Sequence, residues 1–384
     1  MSLSICLLTR DEERNLPQAL RSVAGLADEV VVADTGSTDR TVAVAKEHGA
    51  TPILVPWADD FGAARNLALA QATGDWVFWL NPDEELLTDS RGLVQQCVAR
   101  PDALAYSVIV RDLVDPARMD SYTETMQVRL FRHHPEIQYA GRAHPHFVQP
   151  IEDLARRENQ AILSSPITIQ RHGYLSVPTE AKLRWAARLM AFDLQDHPSH
   201  LTTLIHYGKT LLKLNDPEGH VVLARAVEQI LPLRTAARAP LPDVALLLEY
   251  LLTVSPEQSR SRLSRDEAWE LTMRWFPESP PLLWIRASQL FKAGAYHQAA
   301  GLLATLVNFG QTGRYDKSAN FNPTIIGLDA LMNLGACHAG LGRFDQAEYC
   351  FRQLLNSHTH RPKAQQYIAE VHKRRQKHSP RNPC

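Results

Sequence analysis

Short apolar runs alternate with amphipathic stretches through the first 80 residues of the chain. Four runs, LSICLL, EVVVAD, TPILVP and DWVFWL, are apolar almost throughout, and turn residues bound each of them. Such runs are typical of strands that are covered on both faces. The stretches between them, NLPQALRSVAGL, TVAVAKEHG and GAARNLALAQATG, have the spacing of helices. The alternation therefore predicts a mostly parallel sheet built from βαβ units.

Between residues 100 and 174 the pattern changes to extended segments. ALAYSVIV, MQVRLF and ITIQRH are rich in β-branched and aromatic residues, and Pro, Asp and Gly separate them. We interpret these segments as a mixed, partly antiparallel extension of the same sheet.

After residue 178 the pattern becomes helical nearly without interruption and contains internal repeats. The stretch from Leu331 to Leu355 matches the 34-residue helix-turn-helix tetratricopeptide repeat. The repeat positions that are characteristically small or large and apolar are occupied here by Leu331, Leu334, Gly335, Ala347 and Phe351. An earlier unit has the same frame at Leu283, Ala287, Ala299 and Leu303, and a weaker third unit surrounds Tyr207, Gly208 and Ala224. About 14 residues beyond the 34-residue period are inserted between the unit that begins near Leu283 and the unit that begins at Leu331, in GQTGRYDKSANFNP.

Length and composition agree with two domains. A chain of 384 residues exceeds the size at which a single core stops growing, so we expect an α/β domain over 1–177 and an all-α repeat domain over 178–384, with the basic tail RRQKHSPRNPC.

Hydrophobic residues make up 45% and charged residues 22%, and the net charge of -1 supplies no field that would attract nucleic acid. The five cysteines form no C-x-x-C pair, and no signal peptide or membrane-length apolar run is present. We therefore expect a soluble, cytoplasmic protein.

The end of the second predicted strand has the chemistry of a nucleotide site. Asp34 ends EVVVAD, and TGSTD leads directly into a helix, which is where open α/β sheets bind nucleotides. Neither G-x-x-x-x-G-K-[ST] nor G-x-G-x-x-G is present, which argues against an ATPase phosphate loop and a dinucleotide fold. On this segment alone, Ser37, Thr38 or Asp39 could equally be a simple helix cap.

A second group of carboxylates follows the strand DWVFWL. It lies in Asn81-Pro82-Asp83-Glu84, and oxygen ligands of this kind suit a hard cation such as Mg²⁺ or Mn²⁺. The tryptophans nearby, Trp57, Trp76 and Trp79, are expected to be core residues.

These segments resemble a known family when they are taken together. SICLLTRDEERNLPQALRS, DEVVVADTGSTDRTVAVAKEHGA, PWADDFGAARNLALAQATGDWVFWLNPDEEL, LFRHHPEIQYAGRAH and QRHGY occur in the order found in family 2 glycosyltransferases of GT-A fold. More narrowly, the chain resembles the bacterial branch that carries C-terminal tetratricopeptide repeats. The resemblance covers most of residues 3–90 and shorter blocks to about 175.

The resemblance implies a binding site for a nucleoside diphosphate sugar, with UDP as the first choice of nucleotide. It places Thr9 and Glu12 or Glu13 in the nucleotide pocket, although Arg10 and Asp11 depart from the family's usual Lys-Asn. Asp34 would accept hydrogen bonds from the base. The remaining implied contacts are Gly36 and Ser37 beside the base, and Asp60, Arg65 and Asn66 along the diphosphate and ribose. Arg65 also suits bidentate contact with phosphate on chemical grounds.

The resemblance also implies a divalent metal, with Asp83 and His172 as its ligands. Asn81 stands where the family has Asp, so we expect weaker metal affinity and assign Asn81 to the ribose or to a metal-bound water.

The general base of the implied site is missing from its usual position. The family's Glu is replaced by Pro145, which leaves His144 and His146 as candidates beside Asp83. A zinc site that uses His133 and His134 as well is an alternative for this histidine-rich segment.

Two functions follow from these observations. The first is transfer of a hexose or N-acetylhexosamine from a nucleoside diphosphate sugar to a protein, peptide or saccharide, with inversion and help from Mg²⁺ or Mn²⁺. The second is a catalytically impaired scaffold whose repeats bind a protein partner. The missing carboxylates at Asn81 and Pro145 keep the second alternative open.

Overall fold

A computed structural model describes residues 1–114, 122–172 and 179–378 of the chain. The chain divides into two compact units, Met1–Leu223 and Ala224–Cys384. The predicted boundary at residue 178 lies outside the described residues and stays a prediction. The predicted tail begins at Arg374. Its first five residues belong to the helix Arg361–His378, and the remainder lies outside the described residues. The second compact unit begins later than the helical sequence pattern does.

The four strands predicted in the first 80 residues are all present. They are β1 Leu3–Thr9, β2 Glu29–Asp34, β3 Thr51–Leu54 and β4 Trp76–Trp79. β1 pairs in parallel with both β2 and β4, and β2 pairs in parallel with β3. The carboxyl ends of these strands therefore meet at one edge of the sheet, as the alternating pattern predicted.

Helices cover both faces of this parallel part. They are α1 Leu16–Val23, α2 Thr41–Glu47 and α3 Phe61–Leu69. α1 and α2 contribute to one core layer, which contains Leu16, Leu20 and Val44, whereas α3 contributes Ala64 and Ala68 to the layer on the opposite face. Because both faces are covered, Trp76 and Trp79 of β4 are fully buried. Their assignment to the core is confirmed.

The extended segments that follow enlarge the sheet. They form β5 Glu84–Leu86, β6 Ala103–Leu113, β7 Tyr122–Arg132, β8 Tyr139–Ala140, β9 His146–Phe147 and β10 Ala161–Arg171. The main sheet has the order β3-β2-β1-β4-β7-β6-β10-β5, and β8 pairs separately with β9. β7 is antiparallel to β4 and β6, but β10 is parallel to β6. The mixed extension is confirmed, and residues 1–114 and 122–172 have the predicted GT-A-like α/β fold.

The rest of the described chain is helical. Within or overlapping the first unit, the further helices are α4 Arg91–Val98, α5 Ile151–Arg157, α6 Glu180–Asp196, α7 Leu201–Lys213 and α8 Glu218–Ile230. The second unit contains α9 Val244–Thr253, α10 Pro256–Ser259, α11 Arg265–Trp275, α12 Pro280–Lys292, α13 Tyr296–Thr312, α14 Leu328–Gly340, α15 Phe344–Gln353 and α16 Arg361–His378. Single 3₁₀ turns occur at Thr88–Ser90, Leu231–Leu233 and Pro323–Ile326. None of the helices in the described ranges is both long and apolar enough to cross a membrane.

The two stronger of the three predicted repeats are helix pairs that pack through small residues. α12 pairs with α13, and α14 pairs with α15, as the repeat frame requires. A Cβ added at Gly335 of α14 would lie 2.6 Å from the ring of Phe351 on α15, so only glycine permits this crossing. Most of the predicted insertion lies between α13 and α14, and its first three residues form the end of α13. The tetratricopeptide-like prediction is therefore confirmed.

Candidate functional site

A cavity of about 770 Å³ lies at the carboxyl ends of the parallel strands. Thr9 ends β1, Thr35 follows β2, and Asn81 follows β4, and all three line it. Its other polar and aromatic lining residues are Arg10, Asp11, Glu12, Trp57, Asp59, Phe61, Arg65, Asp83, Lys182, Trp185 and Arg188. The cavity thus has the position expected for a nucleotide site in an open α/β sheet.

Asp34 organises the turn that follows β2. Its carboxylate accepts hydrogen bonds from the backbone N–H groups of Gly36, at 3.1 Å, and Ser37, at 2.9 Å, and also from the Ser37 hydroxyl. The Thr9 hydroxyl lies 3.4 Å from the same carboxylate. Gly36 has φ of 99°, a conformation that favours glycine. Asp34 therefore holds Thr9 and the turn together behind the cavity wall that Thr35 forms.

Glu12 and Glu13 have different surroundings. Glu12 lines the cavity, and burial, together with the nearby Asp83 carboxylate, raises its pKa. The Glu13 carboxylate accepts a hydrogen bond from the backbone N–H of Arg40, 3.0 Å away, at the start of α2. Of the two alternatives for the nucleotide pocket, the geometry favours Glu12.

Arg65 enters the cavity from α3. Its guanidinium carbon lies 4.7 Å from the ring centre of Trp79 and 4.9 Å from that of Tyr139. The Nε atom is enclosed and finds no hydrogen-bond partner in the part of the chain that the structure describes. Burial lowers the pKa of Arg65, although a guanidinium remains charged under all ordinary conditions. A guanidinium that lines a cavity and has one N–H without a partner fits an anionic ligand such as a phosphate.

Asp60 and Asn66 face a second cavity of about 470 Å³. Asp60 caps α3 by accepting a hydrogen bond from the backbone N–H of Ala63, at 2.8 Å. The Asn66 amide bonds both the N–H and the carbonyl of Tyr139, each at 2.8 Å. The structure therefore places Arg65 with the strand-end residues, but it places Asp60 and Asn66 on the other side of α3.

The two carboxylates of Asn81-Pro82-Asp83-Glu84 have different surroundings. Glu84 is 1% exposed, and its Oε1 accepts hydrogen bonds from Arg129, at 2.9 Å, and from Arg171, at 2.6 Å. Burial opposes ionisation of Glu84, but the two arginines outweigh it and lower the pKa. Asn81 donates to the same carboxylate through its backbone N–H and its side-chain amide, at 2.8 and 2.9 Å. Asp83 alone of the two carboxylates faces the cavity.

His172 lies beside Asp83 in the backbone but directs its ring elsewhere. Its backbone N–H donates to the Asp83 carbonyl at 2.9 Å, whereas its ring Nε2 lies 2.8 Å from Glu85 and 3.2 Å from the amide nitrogen of Gln18.

Burial raises the pKa of Asp83, and the nearby Glu84 carboxylate raises it further. Across residues 1–114, 122–172 and 179–378, no three His, Cys, Asp or Glu side chains are arranged to hold a metal. The zinc alternative is therefore wrong for those ranges, and a metal at Asp83 would depend on ligands from the substrate.

His144 and His146 are not among the residues of the strand-end cavity. The His144 ring stacks on His206, with ring centres 4.1 Å apart, and the His146 ring stacks on His200 at 5.1 Å. His146 lines the second cavity together with Asp60. The structure therefore separates both histidines from Asp83, with which the sequence analysis grouped them.

Several cavity residues were not predicted from the sequence. Lys182, Trp185 and Arg188 come from α6, which the sequence analysis assigned to the repeat domain. Trp57, expected in the core, packs against it but also forms part of the cavity wall. The spacing of the α6 residues, three apart along one helical face, was the available signal.

Comparisons with known proteins agree with this architecture. Residues 4–159 match the model of glycosyl transferase family 2. A TPR repeat-containing protein of Synechococcus elongatus is 35% identical over 219 residues, which are 56% of this chain and 53% of that protein. An uncharacterized glycosyltransferase of Rickettsia typhi is 34% identical over 109 residues, which are 28% of this chain and 37% of that protein. The chain thus spans about half or less of the curated relatives that it matches.

Among solved structures, glucosyl-3-phosphoglycerate synthase from Mycobacterium tuberculosis, in complex with Mn²⁺ and uridine-diphosphate-glucose, is 18% identical. The match covers 50% of this chain and 78% of that one, with a TM-score of 0.36. The chain carries a glycosyl transferase family 2 domain over residues 4–159, and tetratricopeptide-like helices follow that domain.

Proposed function

We propose that the chain transfers a hexose or N-acetylhexosamine from a nucleoside diphosphate sugar to a protein, peptide or saccharide acceptor, with inversion at the anomeric carbon. UDP is the first candidate for the nucleotide. The observation that supports this proposal is the convergence of Arg65, Asn81 and Asp83 on one cavity at the strand ends. The repeat helices are the proposed surface for a protein or peptide acceptor. A cytoplasmic location and the absence of nucleic-acid partners remain predictions.

The residues at Asp83 fit a divalent metal that is shared with the substrate. Mg²⁺ commonly uses one or two protein carboxylates and completes its shell with phosphate oxygens and water. Asp83 faces the cavity, whereas Glu84 is committed to Arg129 and Arg171. When bound, Mg²⁺ or Mn²⁺ would be held by Asp83 and would neutralise charge on the departing diphosphate.

Arg65 supplies the corresponding charge from the protein. Arg65 lines the cavity, so a phosphate bound there would accept charge-assisted hydrogen bonds from its guanidinium. Because the guanidinium packs against the rings of Trp79 and Tyr139, little reorganisation is needed as charge develops on the leaving group. We propose that Arg65 binds the diphosphate and that the strand-end residues Thr9 and Thr35 border the nucleoside.

Donor binding is the first test of the proposal. Calorimetric titration of the full chain with UDP-, GDP- and dTDP-sugars, with and without Mn²⁺, should show binding of at least one donor that Mn²⁺ strengthens. Loss of one charge-assisted contact in Arg65→Gln should weaken that binding about tenfold or more. If the wild-type chain binds none of the donors, the proposed function is wrong.

Turnover is the second test, because His144 and His146 remain proposed bases. Slow hydrolysis of the bound donor should disappear in Asp83→Ala. Survival of hydrolysis in both His144→Ala and His146→Ala would remove these residues from the mechanism. Binding without any turnover, with any acceptor class tried, would instead favour the catalytically impaired scaffold, for which the separation of both histidines from Asp83 is the specific observation.

A further inference from the structure

α6 closes one side of the strand-end cavity with an aromatic side chain. The ring centre of Trp185 lies 5.9 Å from that of Trp57 and 5.5 Å from that of Phe61, and the rings of Trp57 and Phe61 are 5.0 Å apart. All three line the cavity. Trp185 is nevertheless 38% exposed, so a large apolar surface faces the cavity opening instead of the core.

This aromatic cluster lies one helical turn from the proposed phosphate anchor. Phe61 and Arg65 are four residues apart on α3, so their side chains share one face of the helix. A ligand whose phosphate contacts Arg65 would therefore have its neighbouring group within reach of the cluster. In a nucleoside diphosphate sugar, one of the groups attached to the diphosphate is the sugar.

Polar groups border the aromatic surface. The Asp59 carboxylate accepts a hydrogen bond from the Trp57 indole, at 2.9 Å, and forms an ion pair with Arg188 of α6, at 3.1 Å. Lys182 lies one turn before Trp185 on the same side of α6. An apolar ring face edged by donors and acceptors matches a pyranose, which has C–H groups on its face and hydroxyls around its edge.

We propose that Trp185, supported by Trp57 and Phe61, packs against the hexose ring of the donor, so that α6 contributes to the choice of sugar. The inference rests on the proposed function, because it requires that a nucleoside diphosphate sugar occupies the cavity. It also makes α6 part of the transferase site, although the helix follows the matched family domain in sequence.

The test compares a nucleotide with its sugar conjugate. UDP, UDP-glucose and UDP-N-acetylglucosamine are titrated into the full chain in the presence of Mn²⁺, with GDP and GDP-mannose or dTDP and dTDP-glucose if those bind instead. Trp185→Ala should weaken the sugar nucleotide about three- to tenfold and the free nucleotide less than about twofold, because a single ring contact is removed. Trp185→Phe, which keeps an aromatic face, should recover most of the difference.

Arg184→Ala is the matched control. Arg184 is on the same helix, and its guanidinium pairs with Glu180 in an exposed contact. This variant should bind both ligands as the wild type does, and thermal unfolding of each variant checks that it is folded. Equal weakening of nucleotide and sugar nucleotide in Trp185→Ala, or no weakening of either, would overturn the inference. Failure of the wild-type chain to bind any nucleotide would instead overturn the proposed function, and the inference with it.

Discussion

Replacement of Glu84 by Gln tests whether the motif Asn81-Pro82-Asp83-Glu84 contains one structural and one functional carboxylate. Glu84 is 1% exposed and is surrounded by cationic donors from Arg129 and Arg171. Glutamine keeps the size of the side chain and one acceptor oxygen. It removes the negative charge and directs an amide N–H₂ toward groups that are themselves donors.

The expected loss of stability is large for a substitution that changes so few atoms. Removal of one partner from a buried ion pair costs about 3–5 kcal/mol, because the other charge is left uncompensated. Asp112 lies 3.0 Å from Arg171 and offsets part of that arginine's charge, but no acidic side chain other than Glu84 pairs with Arg129 in the described ranges. For a unit of about 200 residues, the loss corresponds to a melting temperature lower by about 6–20 °C.

Urea and thermal unfolding of the wild type, Glu84→Gln and a surface control measure the effect. Glu47→Gln is the control, because Glu47 and Arg40 form an exposed pair and its loss should leave the unfolding transition almost unchanged.

Because the pKa of Glu84 is lowered, its contribution to stability should depend on pH. Its contribution is complete above the ordinary glutamate pKa of about 4.3 and is lost as the pH falls through the lower folded value, so the difference between wild type and variant should shrink below about pH 4. A destabilisation at pH 7 no larger than that of Glu47→Gln would refute this reasoning.

Three further predictions concern the site and the repeats. Asp83→Asn should abolish the strengthening of donor binding by Mn²⁺, while the urea midpoint stays close to that of the wild type, since Asp83 faces the cavity. In the wild type, the pKa of Asp83 is raised, so the effect of Mn²⁺ should be lost as the pH falls, at a pH above the ordinary aspartate pKa of about 3.9. A series of titrations at different pH values measures this loss. Asn81→Asp should tighten Mn²⁺ binding but lower stability by about 1–3 kcal/mol, because the amide that donates to Glu84 becomes a second carboxylate; unchanged or weaker Mn²⁺ binding would contradict the account of this position. Gly335→Ala should destabilise the second unit by about 1–3 kcal/mol, because the added Cβ would clash with Phe351. Gly301→Ala in α13, where a Cβ meets open space, should stabilise the unit slightly. Equal unfolding midpoints of the two variants would show that the helix crossing at Gly335 is not tight.

Local patterns were sufficient to predict the strands and helices of the sheet and the repeat pairs. The runs ending at Asp34 and Leu80 are apolar because both of their faces are covered, and that burial is visible in the sequence itself. The pairing of β10 in parallel with β6 was not predicted, because strand partners depend on contacts between distant segments.

The same difference between local and distant contacts separates the site residues that were found from those that were missed. Asp83 lies just after the end of a strand, so its position can be inferred from neighbouring residues, whereas Arg65 lies in the middle of α3 and was assigned through the resemblance. Trp185 and Arg188 reach the cavity only because α6 packs near Asp59, about 130 residues earlier in the chain. Asn66 belongs to a motif of the right type, yet the backbone of Tyr139 occupies its amide, which no local pattern could reveal.

The costly burial of Glu84 has a consequence for Asp83. Glu84 binds the backbone and side-chain amides of Asn81, and it also binds Arg171. The next residue, His172, donates its backbone N–H to the Asp83 carbonyl. Both ends of the turn that carries Asp83 are therefore attached to the same buried ion pair. A solvated Glu84 would leave the turn free to move, and the ligand contacts of Asp83 would then lose the fixed geometry on which electrostatic catalysis depends.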